Sequence, residues 1–298
     1  MTVGADRRSV LTGLGALGLI GCARSESSAP KPAVVAAEAF DLSAVERANG
    51  GRLGFFAHDT GSGRRLVWRG DERFVYCSTF KIYLAAATLM RIQAGDERLD
   101  RQVAITRDDM TNHAPVTGPA IGGTLTLEVL MKGAVEVSDN PAANLLLAAL
   151  GGLEPMRQFY RGLGDTTTRV DRFEPELNFL DGDKDTILPM QAAANLERLF
   201  IDPATPLSDE SRALLLRWMS DAPRGPDRIK AGVPEAWRVA HKIGTGGYGP
   251  TNDIGILYPP AGAPVIIAAF YHAAADDERN AAVIAGTTRM ALSALGRA

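Results

Sequence analysis

The chain has 298 residues, 46% of them hydrophobic, and a formal net charge of −3. This length allows a large buried core, in one domain or in two closely packed ones. The mild acidity excludes the basic surface that nucleic-acid binding requires, so we expect no nucleic-acid partner. The four histidines are scattered without the spacing of metal ligands. We therefore expect no metal site, and no other cofactor.

The first residues predict export. Arg7-Arg8 precedes a short apolar run, 11–21, which has the pattern of a twin-arginine signal peptide and is too short to span a bilayer as a stable helix. The run ends in Leu-Ile-Gly-Cys, which resembles a bacterial lipobox and implies cleavage before Cys22 and lipidation of its thiol. The alternative is cleavage further on, with Cys22 discarded. We predict a signal peptide over 1–21, a flexible tether over 22–36, and a periplasmic protein anchored through this lipid.

The folded region, 37–298, divides by its hydrophobic pattern. The N-terminal part predicts a helix and a hairpin, at 40–49, 53–59 and 65–68. The central part predicts helices at 80–92, 126–135, 141–150, 154–163, 190–200 and 208–219. The C-terminal part predicts strands at 238–242, 253–258 and 265–272 and a last helix at 276–295.

Strand signals at both ends of this region predict an α/β fold of the α+β sandwich type. One antiparallel sheet flanked by helices would be formed by 37–70 and 222–298. The intervening residues 71–221 would form an inserted all-helical domain. We expect the active site where the two parts meet, because clefts commonly form between domains.

Ser78 and Lys81 begin the first central helix, which is apolar on almost every face and is therefore predicted to be buried. Ser78 would lie at the helix N-terminus, where free N–H groups favour developing negative charge. Lys81 follows three residues later on the same face, and burial favours its neutral form. A neutral amine beside a hydroxyl is a general base beside a nucleophile. Alternatively, Ser78 only caps the helix and Lys81 extends towards solvent.

Three further polar motifs follow in order. They are Ser-Asp-Asn at 138–140, Arg-Phe-Glu-Pro-Glu-Leu-Asn at 172–178, and His-Lys-Ile-Gly-Thr-Gly at 241–246. Together with Ser-x-x-Lys at 78–81, in this order and at these separations, they resemble the class A serine β-lactamases over nearly the whole exported region. The resemblance implies hydrolysis of the β-lactam amide bond through an acyl-serine intermediate, conferring β-lactam resistance. The expected partners are a small-molecule β-lactam and a catalytic water, and we expect a monomer.

The resemblance also implies roles for the polar residues of the second and third motifs. Ser138 would relay a proton to the leaving β-lactam nitrogen, and Asn140 would bind the acylamide side chain of the substrate. Glu174 and Asn178 would hold and deprotonate the water that hydrolyses the acyl-enzyme. Whether Glu174 or Lys81 is the base for acylation stays open.

The third motif belongs to a charged loop without periodicity. By resemblance, the Glu174–Pro175 peptide bond would be cis. Arg172 and Asp185 would pair across the ends of the loop and determine its shape. The stretch between Asn178 and Asp185 is shorter than in the commonest members of the family, which affects the rim of the predicted site.

The fourth motif departs from the family pattern. Strand alternation places Lys242 and Gly244 on one face and Ile243 on the other. The family has a threonine or serine in place of Ile243, and its hydroxyl binds the substrate carboxylate. Thr245 is the next residue with a hydroxyl. Its backbone N–H, with that of Ser78, would form the oxyanion hole.

Two further residues are assigned to the substrate site by resemblance. Arg228 matches the position from which some relatives supply a carboxylate-binding arginine, whereas Thr251 occupies the more usual arginine position. The alternative for Arg228 is an ordinary surface charge. His113 corresponds to the aromatic residue at the rim of the cleft, where it would stack on the substrate or simply belong to an exposed loop.

Two other functions compete with hydrolysis. A penicillin-binding D,D-peptidase shares Ser-x-x-Lys and Lys-x-Gly, but Glu174 argues against this alternative. A penicillin sensor that is acylated and stalls is favoured only by Ile243. Rapid turnover of a β-lactam separates the first function from the other two.

Overall fold

A six-stranded sheet is the centre of the computed structural model, which describes residues 37–298 apart from the side chain of Asp277. The strands of this region are β1 (Glu38–Ala39), β2 (Arg52–Asp59), β3 (Arg65–Trp68), β4 (Phe74–Val75), β5 (Gln102–Ala104), β6 (Thr124–Thr126), β7 (Thr186–Ile187), β8 (Arg238–Thr245), β9 (Pro250–Tyr258) and β10 (Val265–His272). The sheet has the order β1-β3-β2-β10-β9-β8, and β4–β7 and β5–β6 form two small ribbons. All pairs in the large sheet are antiparallel except β1 and β3. The strand that carries the fourth motif is therefore an edge strand.

Helices cover both faces of this sheet. They are α1 (Ser43–Asn49), α2 (Lys81–Ala94), α3 (Leu127–Lys132), α4 (Asn140–Leu150), α5 (Leu153–Gly162), α6 (Pro189–Phe200), α7 (Asp209–Asp221) and α8 (Asp277–Ala294). The helices from α2 to α7 are inserted between the N-terminal and C-terminal strands of the sheet. This order confirms the predicted fold class. The inserted part is not all-helical as predicted, because it also contains the ribbons β4–β7 and β5–β6.

Strand alternation divides the core into two layers. In β2, Phe56 contributes to the layer shared with the inserted helices, whereas Phe55 and Ala57 contribute to the layer shared with the terminal helices. Helix α2 lies in the first layer and is buried from Lys81 to Leu89, as its apolar sequence predicts. Each fully buried leucine or phenylalanine stabilises the fold by about 1.5–3 kcal/mol.

Local sequence explains where the helices next to the site begin and end. Gly95 ends α2 in the left-handed conformation at φ 81°, which a glycine adopts without a steric penalty. The side chain of Asp139 caps α4 by accepting a hydrogen bond from the backbone N–H of Ala142. Pro141 occupies the first turn, as expected for a residue without an N–H group.

Three predicted boundaries were wrong. Helix α1 begins at Ser43 rather than at residue 40, because the N–H of Phe40 donates to the carbonyl of Val67 in β3. The helix predicted over 126–135 ends at Lys132 and continues as a π-helix over Gly133–Val137. Strand β8 continues beyond residue 242, so the fourth motif is itself part of the strand.

Several predictions concern residues or divisions that the structure does not test. The signal peptide (1–21), the tether (22–36) and the lipidated Cys22 lie outside the described residues. The division into a sheet part, 37–70 and 222–298, and a helical part, 71–221, stays a prediction. Among residues 37–298, no helix is long and apolar enough to cross a membrane.

Candidate active site

Ser78 lies on a turn that β8 approaches closely. The residues Cys77–Phe80 form a 3₁₀ turn directly before α2, and Ser78 is 8% exposed. A side chain at Gly244 would place its Cβ 2.7 Å from the carbonyl oxygen of Tyr76. Glycine at this position therefore allows the fourth motif to lie against the turn that carries the serine.

Lys81 is the centre of a buried polar network. Its Nζ lies 2.9 Å from Oε1 of Glu174, 2.9 Å from the carbonyl oxygen of Ser138 and 2.5 Å from Oδ1 of Asn140. Burial lowers the pKa of Lys81, and the Glu174 carboxylate only partly opposes this effect. The lysine and the glutamate are therefore close enough to exchange a proton directly.

Ser138 lies between two buried lysines. Its Oγ is 3.1 Å from Nζ of Lys242 and 3.5 Å from Nζ of Lys81. Its backbone is in the left-handed region at φ 66°, directly after the π-helix. Burial holds the pKa of Lys242 well below its usual range, and the positive charges of Lys81 and Arg224 lower it further. The hydroxyl of Ser138 can therefore exchange protons with either amine.

Hydrogen bonds hold both the side chain and the main chain of Glu174. Oε2 of Glu174 accepts a hydrogen bond of 2.5 Å from Nδ2 of Asn178. The main chain of Glu174 is bound on both sides by Asn144, whose Oδ1 accepts from its N–H at 2.9 Å and whose Nδ2 donates to its carbonyl at 2.8 Å. The Glu174–Pro175 bond is cis, which confirms that prediction. Oδ1 of Asn178 is buried and has no hydrogen-bond partner among residues 37–298.

Asp185 closes the same loop. Its Oδ2 lies 2.6 Å from Nε of Arg172, which confirms the predicted pairing of these two residues. Its Oδ1 accepts from the N–H of Asp171 at 2.8 Å and from the hydroxyl of Tyr76 at 3.1 Å. The carboxylate is completely buried, so these donors replace the water that it loses.

Replacement of Asp185 by alanine is expected to destabilise the protein by about 3 kcal/mol, because it leaves Arg172 and the buried donors without their acceptor. Loss of loop order should also slow hydrolysis of the acyl-enzyme. Thermal unfolding and the rate of deacylation measure the two effects. The matched control is Asp183→Ala, whose carboxylate is 64% exposed on the same loop. Equal unfolding temperatures for the two variants would contradict this account.

The predicted site residues separate into two groups. Those that line an open cleft beside the serine are Ser78, His113, Ser138, Asn140, Asn178 and Thr245. Those that are buried behind the wall of the cleft are Lys81, Glu174, Arg228, Lys242 and Gly244. The first group can contact a substrate, whereas the second can hold and polarise the first.

Arg228 belongs to the second group and points towards β8. Its Nη1 donates to the carbonyl oxygens of Gly244 at 3.0 Å and Asn252 at 2.9 Å, and its Nη2 donates to Oγ1 of Thr245 at 2.8 Å. The residue is 6% exposed. Its guanidinium therefore ties the ends of β8 and β9 together and orients the hydroxyl of Thr245.

Sequence reasoning missed four residues of the site. Asn112 accepts a hydrogen bond of 2.9 Å from Nδ2 of Asn140, and Asn144 holds the main chain of the loop glutamate. Phe179 lines the cleft and packs on Tyr248, with 5.6 Å between the ring centroids. Arg224 also lines the cleft. The motif containing Ser-Asp-Asn continues to Asn144 and could have indicated it, but the others lie in loops without a pattern.

Comparison with known proteins agrees with this geometry. The profile of the β-lactamase enzyme family matches residues 39–295. The chain belongs to the class A serine β-lactamase family. It is 38% identical to the β-lactamase Toho-1 of Escherichia coli over 88% of each chain. It is 40% identical to β-lactamase L2 of Stenotrophomonas maltophilia, over 92% of this chain and 90% of that one.

The solved structures lead to the same family. An ancestral class A β-lactamase (GNCA) has a TM-score of 0.82 and 43% identity, covering 85% of this chain and 98% of that one. The predicted family and fold are confirmed by these relatives. The roles predicted for individual residues of this β-lactamase stay predictions.

Proposed function

We propose that this β-lactamase hydrolyses the amide bond of β-lactam antibiotics through an ester on Ser78, and thereby confers resistance. The assignment of catalytic roles to these residues depends mainly on one observation. The buried amine of Lys81 contacts both Ser138 and Glu174 directly behind the cleft that Ser78 lines. A single network thus connects the groups needed to form the ester with those needed to hydrolyse it.

Formation of the ester needs a base for the hydroxyl of Ser78. The lowered pKa of Lys81 makes its neutral form accessible, and Glu174 at 2.9 Å can take the proton that the lysine releases. The oxygen of Ser78 then attacks the lactam carbonyl. The N–H groups of Ser78 and Thr245 stabilise the negative charge that develops on the carbonyl oxygen.

Opening of the lactam ring requires a proton on its nitrogen. Ser138 donates this proton and recovers one from the neighbouring amines, Lys242 at 3.1 Å or Lys81 at 3.5 Å. Their lowered pKa values make proton transfer between hydroxyl and amine less costly than for ordinary lysines. The acylamide side chain of the substrate binds on the other side of the cleft, at Asn140.

Hydrolysis of the ester needs an activated water. Glu174 is the base. Beside it, Oδ1 of Asn178 accepts no hydrogen bond from residues 37–298 and can therefore orient the water. Asn144 fixes the main chain of Glu174, and Nδ2 of Asn178 donates a hydrogen bond to its carboxylate. This pair of residues is what allows the enzyme to turn over rather than to stay acylated.

The hydroxyl missing at Ile243 is replaced by Thr245, which Arg228 orients from behind. A hydrogen bond to a charged group contributes about 1.5–3 kcal/mol. Because the hydroxyl of Thr245 already supplies such a bond to the substrate carboxylate, we expect Ile243→Thr to change kcat/KM less than about tenfold. Arg228→Ala should lower kcat/KM by more, because Thr245 and the ends of two strands lose their support. Steady-state kinetics on folded protein, checked by circular dichroism, gives both values. Strong activation by Ile243→Thr would instead favour a stalled penicillin sensor.

Turnover of the chromogenic cephalosporin nitrocefin by the purified protein tests the proposed function. We expect many molecules of product per molecule of enzyme. Release of only one equivalent would identify a penicillin-binding protein that is acylated and stalls. A D,D-peptidase would cleave a D-alanyl-D-alanine peptide, which this enzyme should not.

We also propose that the enzyme is exported as a monomer and held at the membrane by a lipid on Cys22. The twin-arginine run and the lipobox pattern support this proposal. Incorporation of labelled palmitate should occur in the full chain and disappear in Cys22→Ser. Labelling of neither protein would leave a secreted enzyme without an anchor.

A further inference from the structure

Arg224 is a positively charged residue of the cleft. It lies in the loop between α7 and β8, is exposed, and lines the same cleft as Ser78, Ile243 and Thr245. Among the side chains described for residues 37–298, no carboxylate forms an ion pair with it. Its described hydrogen-bond contact is with Nε2 of His113, at 3.2 Å across the mouth of the cleft.

Arg224 competes with a backbone carbonyl for Nε2 of His113. Nε2 of His113 also lies 2.8 Å from the carbonyl oxygen of Val137. A ring nitrogen carries either a proton or a lone pair, so it can donate to the carbonyl or accept from the guanidinium, but not both at once. The carbonyl only accepts, and the guanidinium only donates. Whenever Nε2 of His113 donates to Val137, it cannot accept a hydrogen bond from the guanidinium of Arg224.

The chemistry of the substrate places an anion on this side of the cleft. In a bicyclic β-lactam the carboxylate is attached to the carbon next to the lactam nitrogen. The proposed proton donor to that nitrogen is Ser138, whose Oγ contacts Lys242. The carboxylate therefore points away from Asn140 and towards the wall formed by Ile243, Thr245 and Arg224.

We propose that Arg224 binds the carboxylate of the β-lactam directly and that His113 is the contact it leaves when substrate enters. This inference rests on the proposed function and names its specificity-determining residue. Arg228 cannot take this part without giving up bonds, because its guanidinium is buried and holds Gly244, Thr245 and Asn252. The side chain of Ile243 has no hydrogen-bond donor. Arg224 can approach a carboxylate with two parallel N–H groups.

Hydrolysis of benzylpenicillin and of its methyl ester by wild type and Arg224→Ala tests this inference. The ester keeps the lactam but has no negative charge. For the acid, we expect Arg224→Ala to lower kcat/KM about tenfold, mainly through KM, because a charge-assisted hydrogen bond is lost. For the ester, kcat/KM should be unchanged. Arg224→Lys should recover part of the loss, because lysine restores the charge but not the paired N–H groups.

A control and a folding check complete the experiment. Arg98→Ala removes a 77% exposed arginine that pairs with Asp100, and it should change neither substrate's kinetics. Unfolding temperatures should be similar for all variants. An equal loss on acid and ester, or no loss on the acid, would overturn the assignment of Arg224. Failure of the wild type to turn over benzylpenicillin would instead overturn the proposed function.

Discussion

Replacement of Ser78 by alanine is expected to abolish formation of the acyl-enzyme and to lower kcat by on the order of 10⁴–10⁶-fold, the loss seen when a serine hydrolase loses its nucleophile. Brief exposure of the wild type to a β-lactam should add the mass of the intact antibiotic to the peptide that contains Ser78. Peptide mass spectrometry detects this adduct. The adduct should be absent from Ser78→Ala.

Cys77 is the neighbour that could be confused with the nucleophile. It is completely buried, and burial strongly raises the pKa of its thiol, so it remains protonated and unreactive. Cys77→Ala should therefore retain the adduct on Ser78. An adduct on Cys77, or one that persists in Ser78→Ala, would show that the nucleophile is a different residue.

Replacement of Glu174 by alanine should separate the two halves of the reaction. Without its carboxylate the ester should persist, and steady-state turnover should fall by at least about 10²–10⁴-fold, the usual contribution of a general base. Lys81 loses the charge that opposes the lowering of its pKa, so its neutral form should become more accessible. We therefore expect an initial burst of one equivalent followed by accumulation of the acyl-enzyme.

Stopped-flow absorbance and intact-protein mass spectrometry measure this burst and the accumulated adduct. The matched control is Glu176→Ala, an exposed carboxylate on the same loop, which should turn over at the wild-type rate. Undiminished hydrolysis by Glu174→Ala would exclude this residue as the base. Loss of the burst as well would show that Glu174 is also required for acylation, which the contact with Lys81 leaves open.

The competing functions make different demands on the same residues. A stalled sensor has no use for the buried carboxylate of Glu174, which accepts a hydrogen bond from Asn178 while Asn144 holds its main chain. Ile243 remains the feature that favours such a sensor. This argument for a sensor is weakened by Thr245, which lies two residues further along β8 and whose hydroxyl is oriented by Arg228.

The sequence predicted the groups whose spacing is local. Lys81 was predicted to lie one turn after Ser78, and the 3₁₀ turn that carries Ser78 does run directly into α2, which begins at Lys81. The strand signals at 53–59 and 265–272 predicted β2 and β10 and the sheet to which they belong. These features depend on neighbouring residues along the chain, so a periodic pattern was sufficient to find them.

Only the tertiary structure decided which arginine lines the cleft. Arg224 and Arg228 lie four residues apart in a loop without periodicity, and resemblance selected Arg228. The folded chain buries Arg228 behind β8, where carbonyl oxygens of two strands accept hydrogen bonds from its Nη1. It exposes Arg224 in the cleft, where Nη1 lies 3.2 Å from Nε2 of His113. A loop side chain takes its direction from the elements packed around it rather than from its neighbours in sequence. The distribution of positive charge in the cleft therefore follows from packing, whereas the presence of the nucleophile follows from sequence.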